Sequence, residues 1–581
     1  MELFLLLKGT PNRLPELPRI LLEEYFDPGF IVRDEGSYRL YLNRKTLASS
    51  CVTCSSGDGS AYGTGTFIYR SDGPEESLRL LLADFAKGRY DSALLLGHYF
   101  ILLFLPSGIK ILNDGTGLVK AYHDGAGTYL SSSFLLAARL HGRLTLNRAA
   151  AAENLVTGGI TGTETPVNEI IAFSRDSARL FSNIEFLLPV PDPDEVRHAI
   201  FTDALKGQAQ LLKDYFRSCS RLAEVKGADI GLTGGYDSRL ILACARDHFE
   251  GLQVHSHYRP AGSEEWRIAR MIAEGEGIRF VSPGVTSPVK MDDETMSAVL
   301  ESSFRFNDGN VSLHCNWMEE YNTLEYRLSV LEEKRLGLSG IGGEQYRNQD
   351  RLYGKPWIFD QWLKYSWVRR ISGKAFPEPG DERDMLDRIK VKMYAALGFR
   401  SGKVFIDLAD LKRIQNEVFI PAYRGARIDA ENRHAWHLAP LADVHIAGAA
   451  GRIVRFLKDS KRFEAELIRM ISPSLASYPT DYGYDLARGE PASERILNSA
   501  FENLLPASLK WKVRERVRHG GRSGSMTERI RTSPLLSGYV ENVVSAGLPV
   551  SVPALMGMES TAHLVVALGY FLEKLKPSTG S

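Results

Sequence analysis

Cysteine is scarce in this sequence, with five in 581 residues. That is too few, and an odd number, for a disulfide-stapled fold, and it points to reduced thiols in a reducing, intracellular compartment. Cys51 and Cys54 form a lone C-x-x-C, without the second pair that a structural zinc site of this kind requires. Long hydrophobic runs are also missing. The longest, Ala93 to Pro106, is interrupted by Gly97 and His98 and is shorter than the roughly 20 apolar residues of a bilayer-spanning helix, so it reads as two buried strands. Charge of one sign is not in excess: Lys plus Arg and Asp plus Glu number 71 each. No basic patch therefore argues for nucleic acid, and no polybasic tract for anionic lipid. Met1 to Lys8 opens with an acid and lacks the basic start and cleavage site of a signal peptide. The expectation is a cytoplasmic protein without membrane insertion. Neither the Walker loop nor the dinucleotide fingerprint occurs, and internal repeats and low-complexity tracts are absent.

What is there suggests two or three domains, since a domain takes roughly 100–200 residues. The first ~190 residues carry short apolar or alternating runs separated by Gly, Asp and Ser, a strand-rich pattern. Candidate strands are Phe4–Leu7, Phe30–Arg33, Tyr38–Leu42, Thr66–Tyr69, Tyr99–Leu105 and Ile109–Leu112. Ser77–Ala86 and Arg148–Leu155 read as helices, the second followed by the glycine-rich loop Thr157–Gly162. Three prolines between Leu187 and Asp194 mark a boundary, because proline removes backbone donors and restricts the chain. This gives two units, 1–190 and 196–581. Beyond the boundary, strands and helices alternate: helix Val196–Cys219, strand Ala228–Leu232, helix Ser238–Asp247, strand Leu252–His255, helix Glu264–Glu274, then strands at Ile278–Val281 and Arg335–Leu338. Alternation of this kind implies a parallel sheet covered by helices. From about Asp350 onward the pattern is mostly helical.

The segment Ile230 to Leu240 contains the most informative residues. Thr233-Gly234-Gly235-Tyr236-Asp237-Ser238 lies between a buried strand and a helix, at the strand end where open α/β sheets bind ligands. Two glycines permit close backbone approach to a phosphate. The hydroxyls of Thr233 and Ser238 and the first helical N–H groups supply donors, and the helix dipole favours an anion. Asp237 would repel phosphate unless it holds Mg²⁺, a hard cation with oxygen ligands. A tight strand-to-helix turn is the plainer alternative. His255 and His257 follow the next strand and are explained by ordinary hydrogen bonding. Glu264 and Glu265 already complement a helix dipole. Lys510, Lys512 and the basic run to Arg522 suit a solvated helix face.

The loop resembles the S-G-G-x-D-S signature of the asparagine synthetase family, among the N-type ATP pyrophosphatases, with Thr233 in place of Ser. Ser339-Gly340-Ile341-Gly342-Gly343-Glu344 resembles the family's second loop, S-G-x-G-x-D, and Ala439-Pro440-Leu441-Ala442-Asp443 its P-F-L-D segment. Gly97-His98-Tyr99-Phe100, Asn113-Asp114-Gly115-Thr116-Gly117 and Tyr129–Ser132 resemble strands and a turn of its glutaminase-like domain. The resemblance implies an N-terminal glutaminase-like (Ntn-type) α+β sandwich. It also implies an α/β domain like the adenine nucleotide alpha hydrolases, ending in a helical part. It implies ATP and Mg²⁺ as cofactors, with a carboxylate activated as an acyl-adenylate, pyrophosphate released, and an amine closing an amide. Thr233, Gly234, Gly235, Asp237, Ser238, Gly340 and Gly342 would hold the nucleotide, and Asp237 and Glu344 the metal. Three departures qualify the expectation. Glu2 stands where glutamine-using members carry a cysteine nucleophile, so the amine would come from ammonia or from the substrate, which could be a peptide. Ile341 cannot move a proton. Tyr478–Tyr484, the nearest match to a family segment with a lysine, has none. Alternatives are an intramolecular cyclase of the lasso-peptide or β-lactam type, and a non-catalytic nucleotide-binding homologue.

Overall fold

A computed structural model describes the chain except residues 11–14, 71–72, 182–183, 190–198, 223–224, 257–260, 283–289, 314, 316, 318–334, 349–355, 369–374, 401, 458–460, 490, 494–495, 498–508, 510–524, 558 and 576–581. Most of the proline-rich boundary, His257, Lys510, Lys512 and the rest of the basic run lie outside the described residues.

The N-terminal part is built on two sheets. Strands β1 (Leu3–Lys8), β2 (Ile31–Glu35), β3 (Tyr38–Asn43), β4 (Val52–Ser56), β5 (Gly59–Tyr69), β6 (Leu95–Leu105), β7 (Gly108–Asn113), β8 (Tyr122–Asp124), β9 (Tyr129–Ser131), β10 (Ile170–Ala172) and β11 (Ile184–Leu187) contribute to them. The first sheet runs β10-β8-β9-β1-β3-β2 and is antiparallel throughout. The second runs β11-β7-β6-β5-β4 and is antiparallel except for the β11–β7 pair. Alternation along the strands explains why they stack. Phe4 and Leu6 of β1 point into one core with Phe100, Leu102 and Ile111 of the other sheet, and the Phe4 and Phe100 rings lie 5.2 Å apart. Leu3, Leu5 and Leu7 point the opposite way, into a core shared with the helices. Burial on both faces is why these strands read as nearly continuous apolar runs.

One reading is corrected. The stretch from Ala93 to Pro106 is a single long strand, Leu95–Leu105, not two. Gly97 does not break it. It takes φ +103°, and a side chain there would meet the Thr66 carbonyl oxygen at 2.2 Å, so glycine lets two backbones pass within the sheet.

The C-terminal part is organised by a five-stranded sheet of β12 (Gly227–Leu232), β13 (Gln253–Ser256), β14 (Arg279–Val281), β15 (Arg335–Leu338) and, after a small pair β16 (Trp357–Ile358) and β17 (Phe405–Ile406), β18 (His437–Leu438). Its order is β14-β13-β12-β15-β18, all parallel. Ala228, Ile230, Leu232 and Val254 are fully buried, as parallel strands covered on both faces must be. The helices Phe201–Cys219, Asp237–Ala245 and Glu264–Gly275 follow the predicted order. A largely helical region completes the chain, and among the described residues no helix is long and apolar enough to cross a membrane.

The two parts share hydrogen bonds as well as a core. Asp443 accepts from the Gly97 N–H (2.8 Å), Ala439 N–H donates to His98 Nε2 (3.1 Å), and Thr66 donates to Asn432 (2.6 Å).

Candidate functional site

The parallel sheet has one switch point. From β12 the chain moves to β13 on one side, whereas β15 pairs on the other. The loops leaving β12 and β15 therefore diverge and leave a crevice at their C-terminal ends. The loops at this crevice are the two that the sequence singled out.

In the first loop the Ser238 hydroxyl accepts from Thr233 N–H (3.1 Å) and contacts Thr233 Oγ1 (3.0 Å), while Gly235 N–H donates to Thr233 Oγ1 (3.2 Å). These bonds fold the loop into a shallow cup. The helix Asp237–Ala245 starts at its rim with no side chain capping its first N–H groups. An uncapped N-terminus at a crevice leaves donors and a partial positive charge for an anion.

The second loop lies against the first. A methyl group on Gly340 would come within 3.0 Å of the Asp237 backbone, and one on Gly343 within 2.2 Å of the Asp237 carboxylate. Gly342 takes φ +100°, and a methyl group there would come within 2.5 Å of the backbone of Leu441 and Ala442. Glycine at these positions serves the contact of loop with loop. Ile341 packs at the edge of an apolar cluster with Leu118, Ile420 and Ala439.

Charge is concentrated at this contact. Arg347 reaches both oxygens of Asp237, at 2.6 and 2.5 Å. Arg424 holds Glu344 at 2.6 Å. The buried Lys412 ammonium donates to the carbonyls of Glu344 and Arg347, each at 2.5 Å, and to Gln415 (3.0 Å), which pins the loop from behind. A third acid, Glu464, is wholly buried, and neither of its oxygens receives a hydrogen bond from a described donor. Burial, then the Asp237 charge, pushes its carboxyl well above the usual range despite Arg347. Burial opposes the charge of Arg347, but Asp237, Glu464 and Glu344 outweigh it and hold its pKa above normal.

The segment Tyr478–Tyr484 forms the facing wall. Arg239, fully buried, donates to the carbonyls of Tyr478 (2.9 Å), Pro479 (2.7 Å) and Gly234 (3.4 Å), tying that wall to the first loop. Asp481 packs on Gly234. Burial, then the charge of Glu265, raises the Asp481 carboxyl, with Lys461 opposing. Lys461 stands over the Tyr482 ring at 3.0 Å and 5.3 Å from that of Tyr236.

The structure thus brings together Thr233, Gly234, Gly235, Asp237, Ser238, Gly340, Gly342 and Glu344. The carboxylates assigned to Mg²⁺ each carry an arginine, and among the described residues no group of three or more His, Cys, Asp or Glu is disposed to hold a metal. Mg²⁺ commonly takes only one or two carboxylates and completes its shell with phosphate and water, so these two would serve it only where Arg347 and Arg424 both give way. His255 is 2.8 Å from Asp229, a structural pair. The sequence reading missed Arg347, Lys412, Arg424, Lys461 and Glu464. Glu464 carried a signal: it falls on the apolar face of the helix Arg462–Ile471 beside Phe463, Leu467 and Ile468. In comparisons with known proteins, no protein-family model and no curated protein matches the chain.

Proposed function

We propose that this chain is an ATP-dependent amide-forming ligase of the asparagine synthetase type. It would activate a carboxylate as an acyl-adenylate and release pyrophosphate and AMP. On this reading the parallel sheet is an adenine nucleotide alpha hydrolase-like core, and the N-terminal sandwich is a glutaminase-like, Ntn-type domain without a working nucleophile. One observation carries the reading: a glycine loop opening an uncapped helix meets a second glycine loop at the sheet's switch point, with Asp237 and Glu344 at the meeting place.

The cup and the first helical N–H groups would hold the pyrophosphate portion. Asp237 and Glu344 would hold Mg²⁺, which when bound neutralises charge growing on the leaving pyrophosphate. Arg347 is placed to move from Asp237 onto a phosphate oxygen, since a guanidinium pairs equally well with either. Lys461, across the cup, adds a second cation close to the departing charge.

Glu2 supports a source of amine other than glutamine. Its carboxylate is buried and bound by Lys45 (2.7 Å) and the Gly65 N–H (2.9 Å), leaving no nucleophile at that end of β1. Ammonia or an amine on the substrate would serve, and a substrate amine would make the chain an intramolecular cyclase.

The test is pyrophosphate release from ATP and Mg²⁺ with ammonia and a panel of acids that includes aspartate, uronic acids and peptides. Release that depends on one acid supports the reading. Silence across the panel, with ATP still bound, would favour a non-catalytic nucleotide-binding protein.

A further inference from the structure

A second cavity, of about 190 Å³, lies away from the crevice, where the N-terminal sandwich meets the helical region. None of the residues of the two glycine loops lines it. Its walls include the glycine-rich loop after the helix Arg148–Thr157, the turn Asp308–Ser312, the irregular helix Gln415–Arg424 and residues of the N-terminal sandwich. The walls are mainly apolar, with Phe100, Phe173, Phe186 and Val418 among them.

Lys120 lines this cavity. Lys120 is half-buried, and its ammonium has no hydrogen bond or ion pair among the described residues. The nearby acids are committed elsewhere. Asp429 accepts from the Lys120 backbone N–H (3.3 Å) and from Arg433 (2.8 Å), and Asp308 pairs with the same Arg433 (3.2 Å). Burial pulls the Lys120 pKa below its usual value, with Asp429 opposing. A second polar orphan stands in the same wall: the side-chain oxygen of Asn154, a residue 1% exposed, has no partner among the described residues.

A half-buried cation that faces mainly apolar walls, with no partner among the described residues, is a natural anchor for an anion. We propose that this cavity binds a small monocarboxylic acid with an apolar body, its carboxylate on Lys120 and its body against Phe173, Phe186 and Val418. The size suits it, since an apolar cavity of about 150 Å³ accepts a benzene ring. A phosphate does not suit it: Lys120 is the one cation among the lining residues, beside the carboxylates of Asp308, Glu164 and Glu417, which are held by Arg433, by Arg388 and Lys392, and by Arg413. The site also reaches the crevice mechanically. Val418, Pro421 and Ala422 line the cavity, and the same helix ends in Arg424, which holds Glu344. Helices with this wide turn often mark functional positions.

The proposal does not depend on the ligase reading and is tested by binding alone. The probe is 4-fluorophenylacetate, followed by ¹⁹F NMR, beside its neutral amide, 4-fluorophenylacetamide. The wild-type chain is expected to bind the acid saturably and at least tenfold more tightly than the amide, a comparison that needs no variant. Lys120→Met should abolish the preference while the chain stays folded. No saturable binding of the acid, equal affinity for acid and amide, or unchanged acid binding by a folded Lys120→Met chain would each overturn the proposal.

Discussion

Two carboxylates, Glu2 and Asp237, make opposite use of the same chemistry. Each sits beside a glycine-bearing strand or loop, and each is bound by one cation. Glu2 and Lys45 are both buried, and the pair is closed over by the Arg433 carbonyl, the Asn432 carbonyl and the Trp436 ring. Asp237 and Arg347 keep 25% and 14% of their side chains exposed, at the mouth of a crevice. The first pair is a joint and the second a clasp. The difference lies in what covers them: the end of the helix Gly425–His434 closes over Glu2, while Asp237 lies against the second glycine loop with part of its side chain still open to the crevice.

If that contrast holds, Glu2→Gln should act on stability. It strands a buried lysine, which costs about 3–5 kcal/mol, and adding Lys45→Met should recover most of it, because replacing both members of a buried pair is often neutral. Chemical denaturation of the two variants decides it, and an unchanged midpoint for Glu2→Gln alone would break the comparison. Asp237→Ala should do the reverse. The fold survives, and pyrophosphate release falls by at least 10²-fold, the usual cost of removing one charge-stabilising group. Wild-type release from this variant would refute the site assignment. Gly343→Ala sharpens the picture at the clasp: the added methyl displaces the Asp237 carboxylate and should cost about 1–3 kcal/mol of stability, read by thermal melting, with release reduced as well.

The smallest effect is expected from Glu464→Gln. An acid whose folded pKa is raised above its ordinary 4.5 supports the fold fully below that value and loses its contribution as pH climbs toward the folded pKa. The amide cannot ionise. The variant should therefore match the wild type near pH 4.5 and gain on it progressively toward pH 8 in denaturation midpoints. A difference that does not vary with pH would mean that folding leaves the Glu464 pKa where it is in the unfolded chain.

Much of the fold was legible because its signals are local. Apolar runs give β1, β6 and β12, and the glycine pair before Asp237 gives the turn into a helix. The order of strands gave the parallel sheet. Gly97 misled because the dip in hydrophobicity that it shares with His98 looks like a break, whereas the strand needs a residue of that shape there. The site was half legible. Its two loops are contiguous motifs, but Arg424 lies 80 residues from the Glu344 it holds and Glu464 more than 200 from Asp237, distances across which spacing carries no information. Arg347 was within reach, three residues past Glu344, yet nothing in its neighbours distinguishes a clasping arginine from a surface one.

The joint at Glu2 also has a place in time. Lys45 donates to the carbonyl of a residue 387 positions later in the chain. At roughly 5–20 residues per second of synthesis, the first strand waits some twenty seconds to over a minute before its closing piece leaves the ribosome. Through that interval a carboxylate and an ammonium destined for the interior remain hydrated, which keeps the nascent edge charged and soluble. They are dehydrated only when the helix that covers them arrives. The same pair that is sealed in the finished protein thus guards the unfinished one against sticking to its neighbours.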